Sequence, residues 1–217
     1  MNLPARSLDF QPLPRQKTFV AGVAQLPTRH GSLRIVSFHF GDPSAEHVAI
    51  VSGEVSHAGT IPVRIHSECL TGDVFGSLRC DCRDQLQQAI DRLAHDGPGV
   101  ILYLRQEGRG IGLTNKVRAY ALQDRGLDTV DANKALGFPD DTRDYAVAGE
   151  MLQALGVRSV DLLTNNPEKV AQLEMTGVEV RRRLSIQPPA NEHNVGYLQT
   201  KARRSGHLLS LPELEAL

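Results

Sequence analysis

The sequence has no tryptophan, few other aromatic residues and no surplus of basic charge. Aromatic residues make up 5% of the 217 positions, and 24 Lys and Arg stand against 25 Asp and Glu, which gives a formal net charge of -1. Nucleic-acid-binding domains usually carry a basic stripe, and single-strand binders add aromatic stacking surfaces. The composition therefore predicts no nucleic-acid partner, and it still permits a small anionic substrate held by a few Arg and Lys.

Long apolar segments and disulfide-forming cysteines are also missing. No run of about 18 apolar residues is present, which predicts no membrane span, and the first 17 residues lack the apolar core of a signal peptide. Only three cysteines occur, all between positions 69 and 82. Because an odd, clustered set does not form a disulfide framework, we expect reduced thiols and a cytoplasmic location.

The length of the chain suits one domain of ordinary size. Residues 1–17 contain three Pro and no hydrophobic periodicity, so we predict a flexible N-terminal arm there, a single domain over 18–210 and a C-terminal tail over 211–217. A chain of this length can bury a stable core without a metal, so any metal that it binds has another use.

Hydrophobic periodicity changes after the first third of the chain. Short β-branched runs at the start predict strands, and apolar residues at helical spacing alternate with further strand-like runs after residue 83. This order predicts an α/β protein with a mixed β-sheet flanked by helices and a β-rich N-terminal part. The predicted strands are 18–26, 33–40, 47–55, 61–65, 100–104, 157–163 and 178–184, and the predicted helices are 86–94, 113–124, 143–155, 167–176 and one from about 196.

Cys69, Cys80 and Cys82 follow the spacing C-x10-C-x-C. Three thiolates would fill three of the four positions around a tetrahedral zinc ion and leave one for water or substrate, as in catalytic zinc sites. Such an ion activates water for attack on an electron-poor carbon, which indicates a hydrolase. Two alternatives stay open at this point: three unrelated buried cysteines, or a closed site that His66 completes.

Two polar loops follow predicted strands and precede predicted helices. Residues 105–110 are rich in Arg and Gly, and residues 164–167 end in an Asn-Pro cap with Lys169 one turn on. Helix N-termini, closely approaching glycine backbone and bidentate Arg all favour bound phosphate. Ligands of open α/β sheets lie at the carboxyl ends of strands. Together the loops predict a phosphorylated substrate, although either alone is also typical of an ordinary loop or helix cap.

Four long motifs occur in order along the chain: HSECLTGDVFGSLRCDC, LRQEGRGIGLTNKVRAYALQD, DTVDANKALGF and LLTNNPEKV. They closely resemble the GTP cyclohydrolase II family, from about Pro27 to Leu209. The resemblance implies a GTP cyclohydrolase II-like catalytic domain over 18–210. It also implies hydrolytic opening of the guanine imidazole ring of GTP with release of formate and pyrophosphate. The product would be 2,5-diamino-6-hydroxy-4-(5-phosphoribosylamino)pyrimidine, in the first step of riboflavin biosynthesis.

The resemblance further implies cofactors, partners and binding residues. It implies one Zn²⁺ per chain on Cys69, Cys80 and Cys82, Mg²⁺ bound with the GTP phosphates, and a homodimer. The positions that match the family's GTP contacts are Arg64, Ile65, His66, Ser67, Glu68, Gln85, Glu107, Gly108, Arg109, Thr129, Thr164 and Lys169.

Catalytic roles are implied by the same resemblance. Asp141 matches the family's proton acceptor, Arg143 its nucleophile, and Tyr120 a tyrosine near the reacting ring. By spacing alone, residues 140–144 are a helix start, because Asp and Thr are favourable caps. A guanidinium is almost always protonated, so a phosphate clamp is the plainer role for Arg143.

Recognition of guanine needs an acceptor for two adjacent N–H donors, which one carboxylate can provide. Glu107 is the first choice for this carboxylate and Glu68 the second. The sequence departs from the family pattern after Cys82, where Arg83 and Asp84 stand in place of the usual Gly and Phe. This change adds charges of both signs beside the zinc loop.

Two other functional classes compete with this hypothesis. A zinc nucleobase deaminase can also use three cysteines, but it carries H-x-E together with P-C-x-x-C, and no such pair of motifs is present. A non-enzymatic nucleotide-binding regulator or structural zinc module is the other class. The presence of Tyr120, Asp141 and Arg143 argues against it.

Overall fold

One mixed β-sheet of seven strands organises the computed structural model, which describes residues 18–40 and 46–211. Its strands are β1 (Phe19–Thr28), β2 (Gly31–His39), β3 (Val48–Ser52), β4 (Thr60–Ser67), β5 (Gly99–Leu104), β6 (Ser159–Leu163) and β7 (Glu179–Leu184). Their order across the sheet is β1-β2-β3-β5-β4-β6-β7. The predicted mixed sheet is therefore confirmed.

Strands β1, β2 and β3 form the antiparallel, N-terminal part of the sheet. Residues 29–30 make the turn between β1 and β2, and Gly31 follows with a φ of 127°, which glycine adopts readily. In β2, Val36 and Phe38 are buried while Ser37 between them is exposed, as expected for a strand with one face on the core. The β-rich N-terminal part is thus present as predicted.

Strands β4, β5, β6 and β7 are parallel to one another. The central strands are covered on both faces, and Val63 and Ile101 have no exposed surface. Because parallel strands end at the same edge, the residues that follow β4, β5 and β6 lie together. These are 68–69, 105–110 and 164–166.

Helices pack on both faces of the sheet. Ala89 and Leu93 pack against Ile101 on one face, whereas Met151 packs with Leu102 in the larger core on the other. The helices are α1 (Leu70–Asp73), α2 (Cys82–His95), α3 (Gly112–Gln123), α4 (Thr129–Ala135), α5 (Ala146–Ala154), α6 (Pro167–Met175) and α7 (Val195–Arg204), with a 3-10 turn at Glu107–Gly110.

The predicted helix over 143–155 begins three residues later than expected, at Ala146. The backbone N–H groups of Arg143 and Ala146 donate to the carboxylates of Asp141 and Asp144, at 3.0 and 2.8 Å. These local bonds offer the backbone an alternative to the helix. Helices α1 and α4 were not predicted, because four and seven residues are too few to show a hydrophobic period.

Parts of the predicted domain organisation lie outside the described residues. These parts are the N-terminal arm over 1–17 and residues 212–217 of the tail. Within the described ranges, no helix has the length and apolar content needed to cross a membrane. The single domain over 18–210 stays a prediction, and its described part forms one sheet with covering helices.

Substitution of Gly149 tests the close packing of α5 on the end of α6. A Cβ at this position would lie 2.0 Å from Thr176 Oγ1 and 2.4 Å from Thr176 Cβ. We expect Gly149→Ala to lower the free energy of unfolding by about 1–3 kcal/mol, because the methyl group overfills the contact. Thermal unfolding measures the effect. Gly196→Ala is the matched control, since its Cβ would meet nothing within 4 Å; equal stabilities of the two variants would contradict the packing.

Candidate active site

Three loops meet at the carboxyl edge of the parallel strands. Sheet pairing continues one residue past the strand ends, since Glu68 N donates to Leu104 O at 2.8 Å and Thr164 N donates to Leu184 O at 2.9 Å. These bonds fix where each loop begins. The loops after β5 and β6 thus lie at the edge where the sequence predicts the ligand crevice.

The three cysteines form one cluster at this edge. Cys69 directly precedes α1, and Cys80 and Cys82 stand at the start of α2. The Sγ atoms of Cys69 and Cys80 are 3.6 Å apart, and all three Sγ atoms lie within 4.8 Å of one another. Within residues 18–40 and 46–211, the group that could hold a metal consists of these three cysteines alone.

The surroundings of the cluster fit a bound cation. Hydrogen bonds with Cys80 and Cys82, together with the charge of Lys116, hold the pKa of Cys69 far below its ordinary value. Lys116 Nζ donates to Cys69 Sγ at 3.1 Å. Gly72 leaves the space between the sulfurs open, because a Cβ there would come within 2.8 Å of Cys80 Sγ. Three convergent sulfurs, one of them held as thiolate, are a donor set suited to zinc.

His66 does not belong to the cluster, so the closed-site alternative is not supported. Its Nε2 lies 3.0 and 3.1 Å from the two carboxylate oxygens of Asp73, and its ring stacks on Tyr103. Burial lowers the pKa of His66. Asp73 also accepts from Cys69 N at 3.0 Å and from Tyr103 at 2.9 Å. His66 therefore helps to hold the turn that carries Cys69.

Glu107 is buried and connects three parts of the site. Its carboxylate accepts from Leu70 N, Gly108 N and Lys116 Nζ, each at 2.7 Å. Gly108 and Arg109 adopt positive φ values of 64° and 61° in the 3-10 turn. Since both carboxylate oxygens already accept protein donors, Glu107 holds α1, the turn and α3 together.

A pocket opens beside the cysteines, and we call it the thiolate pocket. Tyr120 lies in its wall with its hydroxyl 3.3 Å from Thr71 Oγ1 and with the Arg79 guanidinium over its ring. Burial raises the pKa of Tyr120. The thiolate pocket is also lined by Ser67, Glu68, the three cysteines, Glu107, Gly108, Arg109, Lys116, Thr129, Arg143 and Tyr197.

Arg143 and Asp141 form a tight ion pair at the pocket. Arg143 Nε donates to Asp141 Oδ1 at 2.8 Å, and a second guanidinium nitrogen contacts Oδ2. Burial alone would raise the pKa of Asp141, but hydrogen bonds and charge from Arg143 lower it overall. Burial alone would lower the pKa of Arg143, but the hydrogen bond to Asp141 raises this pKa overall. Both side chains therefore stay charged.

A second cavity adjoins the first, and we call it the cationic cavity. Its cations include Arg64, Arg143 and Lys169, and Thr164 lies beside them. Burial lowers the pKa of Lys169 well below its ordinary value, and repulsion from Arg64 and Arg143 lowers it further. Ser67, Cys82, Arg143 and Tyr197 line both cavities, so the two form one connected site.

The remaining predicted residues are also close to this site. Gln85 Oε1 accepts from Arg64 Nη2 at 2.5 Å. Thr129 begins α4 at the wall of the thiolate pocket. Ile65 is fully buried in the core, and its backbone carbonyl accepts from Lys169 Nζ at 2.7 Å. Apart from the side chain of Ile65, the structure brings the predicted set together.

Arg83 needs no special backbone conformation. It lies in the first turn of α2 and is absent from the residues with positive φ in the described ranges. Its guanidinium lies against Gly76, where an added Cβ would come within 2.5 Å of Nη1. The position therefore does not require glycine, and Asp84 is the acidic residue in the first turn of α2, where a negative charge favours the positive end of the helix dipole.

Sequence reasoning missed several residues that line the site. Lys116 belongs to the motif LRQEGRGIGLTNKVRAYALQD, but nothing in its spacing shows that it reaches both Cys69 and Glu107. Tyr197, Lys201 and His207 come from α7 and the segment after it, which carry no recognisable motif. Only the folded chain brings them to the cavities.

These features define an α/β protein with a three-cysteine cluster that could hold a metal ion and a cavity lined by cationic side chains, both at the carboxyl edge of its sheet. The sequence profile described as GTP cyclohydrolase II matches residues 18–185. The chain belongs to the GTP cyclohydrolase II family.

Individual relatives agree with this assignment. The chain is 53% identical over 186 residues to the "Riboflavin biosynthesis protein RibBA" of Bacillus mycoides (strain KBAB4), which covers 86% of this chain and 47% of that protein. It is 50% identical to the "GTP cyclohydrolase-2" of Actinobacillus succinogenes, with 86% of each chain covered. The chain thus spans about half the length of the RibBA proteins that it matches, and most of the length of the second relative.

A solved structure with some likeness is the "two domain 3,4-dihydroxy-2-butanone 4-phosphate synthase" RibBX from A. baumannii. The TM-score is 0.45 at 17% sequence identity, with 80% of this chain and 41% of that chain covered. A TM-score of this size does not establish a shared fold.

Substitution of Gly72 tests whether the three sulfurs bind one metal ion together. We expect Gly72→Ala to weaken zinc binding by roughly 10- to 100-fold, because the added methyl group displaces Cys80 Sγ and Cys69 Sγ. Competition with a chromophoric chelator measures the affinity. Gly196→Ala, which makes the same exchange in open space, should bind zinc like the native protein. An unchanged affinity in Gly72→Ala would show that the thiolates do not converge on the ion.

Proposed function

We propose that the chain is a zinc-dependent GTP cyclohydrolase II, which opens the guanine imidazole ring of GTP and releases formate and pyrophosphate. The product is 2,5-diamino-6-hydroxy-4-(5-phosphoribosylamino)pyrimidine, in the first step of riboflavin biosynthesis. The observation that carries the proposal is the connection between a three-thiolate cluster and a cavity lined by cations. Membership of the family supports the choice of GTP.

Cys69, Cys80 and Cys82 are the residues proposed to hold the zinc ion. When bound, zinc supplies Lewis-acid activation of water for attack on the electron-poor carbon of the imidazole ring. The chain itself keeps Cys69 beside the other two sulfurs through the Asp73 and Glu107 carboxylates, which accept from Cys69 N and Leu70 N at the start of α1. The site has no fourth protein ligand among the described residues, so a coordination position is available.

The cationic cavity is the proposed site of the phosphates. Arg64 and Lys169 are buried there without a carboxylate within ion-pair distance among the described residues. A buried cation that lacks an anionic partner is costly, and bound phosphate would remove that cost. Mg²⁺ is proposed to accompany the nucleotide, where it would neutralise part of the phosphate charge.

Glu68 is the better placed of the two carboxylates proposed to read guanine. Both oxygens of Glu107 already accept hydrogen bonds from the protein. Glu68 lines the thiolate pocket, and its side chain keeps 20% of its surface exposed, with Arg105 Nε at 3.7 Å. A carboxylate with free acceptors can take both N–H donors of the base.

Asp141 is proposed as the proton acceptor and Arg143 as a phosphate clamp. The ion pair between them keeps Asp141 ionised, as a base must be, and keeps Arg143 protonated. A protonated guanidinium binds phosphate well and is a poor nucleophile. Tyr120 is proposed to position the imidazole ring of the substrate. Its hydroxyl contacts Thr71 Oγ1, which in turn contacts Cys69 Sγ, so its side chain lies close to the sulfur cluster.

The homodimer and the cytoplasmic location are proposals of the same kind. A second subunit could pack on the exposed apolar side chains between Cys69 and Cys80, which are Val74, Phe75 and Leu78. A reducing compartment suits the proposal, because thiolate ligands must stay reduced.

Incubation of the zinc-loaded protein with GTP and Mg²⁺ tests the function. We expect equal amounts of formate and the diaminopyrimidine product, with pyrophosphate released alongside. Cys80→Ser should lose bound zinc and formate production together, because the ion is left with two thiolates, whereas pyrophosphate release can survive. Liquid chromatography and elemental analysis measure these quantities.

Other outcomes of this incubation would contradict the proposal. Ammonia release without formate would indicate a deaminase. Tight binding of GTP with no turnover would indicate a regulatory protein. Full formate production by a metal-free Cys80→Ser variant would contradict the role of zinc.

A further inference from the structure

Helix α7 lies outside the segment that the family profile matches, which ends at residue 185. It nevertheless forms one wall of the site. Tyr197 lines both cavities, and Lys201 and His207 line the cationic cavity. A wall of this kind can contribute to substrate binding only if its position is fixed relative to the other loops.

Four residues of α7 and of the segment after it bond to the loops around the two cavities. Arg204 pairs with Asp128 and Asp131 at the start of α4. Ser205 Oγ donates to Asp140 Oδ2 at 3.1 Å, and Asp140 in turn pairs with Arg109 at 2.6 Å. The other two contacts join Leu208 N to Asn165 O at 2.8 Å and Lys201 to Asp81 at 3.0 Å.

Lys201 is held in the cavity by a buried carboxylate. Its side chain is 12% exposed, and Asp81, between two of the cysteines, is 1% exposed. The other oxygen of Asp81 accepts from Gln85 Nε2 at 2.5 Å, and Gln85 also accepts from Arg64. A chain of hydrogen bonds thus joins Lys201 to Arg64 across the floor of the cationic cavity.

The ammonium group of Lys201 retains donor capacity. It has three N–H groups, and Asp81 is the acceptor that the structure gives it among the described residues. The Tyr197 ring lies 4.4 Å from Nζ. Arg64 Nε is buried in the same cavity without an acceptor in the described ranges. Unused donors from two elements therefore point to an anionic ligand between them.

The charges in the cavity agree with this inference. Burial lowers the pKa of Lys169, and repulsion from Arg64, from Arg143 and, to a smaller extent, from Lys201 lowers it further. The Lys201 charge therefore acts on the same space as the other three cations. Crowded like charges are unfavourable when the cavity is empty and become favourable when a polyanion occupies it.

We propose that α7 is part of the substrate site and that Lys201, positioned by Asp81, donates to the phosphate groups of the nucleotide. The inference rests on the proposed function for the identity of the nucleotide, and on the geometry of the cavity for the binding of phosphate. The residue acts on substrate binding, and ring opening occurs at the thiolate pocket.

Binding of inorganic triphosphate to the zinc-loaded, full-length protein tests the inference by calorimetry. We expect Lys201→Met to weaken this binding by roughly 10- to 100-fold, the size expected for a lost charge-assisted hydrogen bond. Lys201→Arg should restore most of the affinity. Arg203→Met, which removes an exposed charge from the same helix, should bind like the native protein. Guanosine, which has no phosphate, should inhibit the turnover of GTP by all of these variants to the same extent.

Turnover of GTP by the same variants separates the two proposals. We expect the KM of Lys201→Met to rise while kcat and zinc content change little. Equal triphosphate affinity in the native protein and Lys201→Met would overturn the inference and leave the proposed function intact. Loss of zinc and affinity in both Lys201→Met and Lys201→Arg would also overturn it, because the charge would then not matter. Native protein that binds triphosphate but releases no formate from GTP would instead contradict the proposed function.

Discussion

The convergence of three cysteine sulfurs within 4.8 Å is the constraint on which the rest of the site depends. Three thiolates at this separation would repel one another, and among the described residues the cation in hydrogen-bond contact with them is Lys116, at 3.1 Å from Cys69 Sγ. A divalent ion removes this repulsion where one ammonium group does not. The buried carboxylates of Asp73 and Glu107 keep the short helix α1 in place, and α1 in turn keeps Cys69 against the other two sulfurs.

The site has two connected parts that differ in their chemistry. The cysteine sulfurs lie in the thiolate pocket, Arg64 and Lys169 line the cationic cavity, and Arg143 lines both. A nucleoside triphosphate has the matching division, with a base to be attacked at one end and anionic phosphates at the other. Asp81 stands between the two parts, because it lies between two cysteines and reaches Arg64 through Gln85. The segment that carries Cys80 and Cys82 is thus joined by hydrogen bonds to Arg64 in the cationic cavity.

The mixed sheet and the cysteine cluster could be predicted because both depend on local sequence patterns. The spacing of Cys69, Cys80 and Cys82 shows in the letters alone. The roles of Glu107 and Lys116 could not be predicted in this way, because their partners lie on other elements. Helix α4 was missed because its seven residues are too few for a period, and the contribution of α7 depends on tertiary packing that no local pattern records.

X-ray absorption at the zinc edge of active protein tests the central claim most directly. The account predicts one zinc ion per chain with three sulfur neighbours at about 2.3 Å and one lighter oxygen neighbour. That fourth neighbour should change when substrate binds. Active protein without zinc, or zinc with a histidine ring or a further protein side chain in the fourth position, would contradict the account.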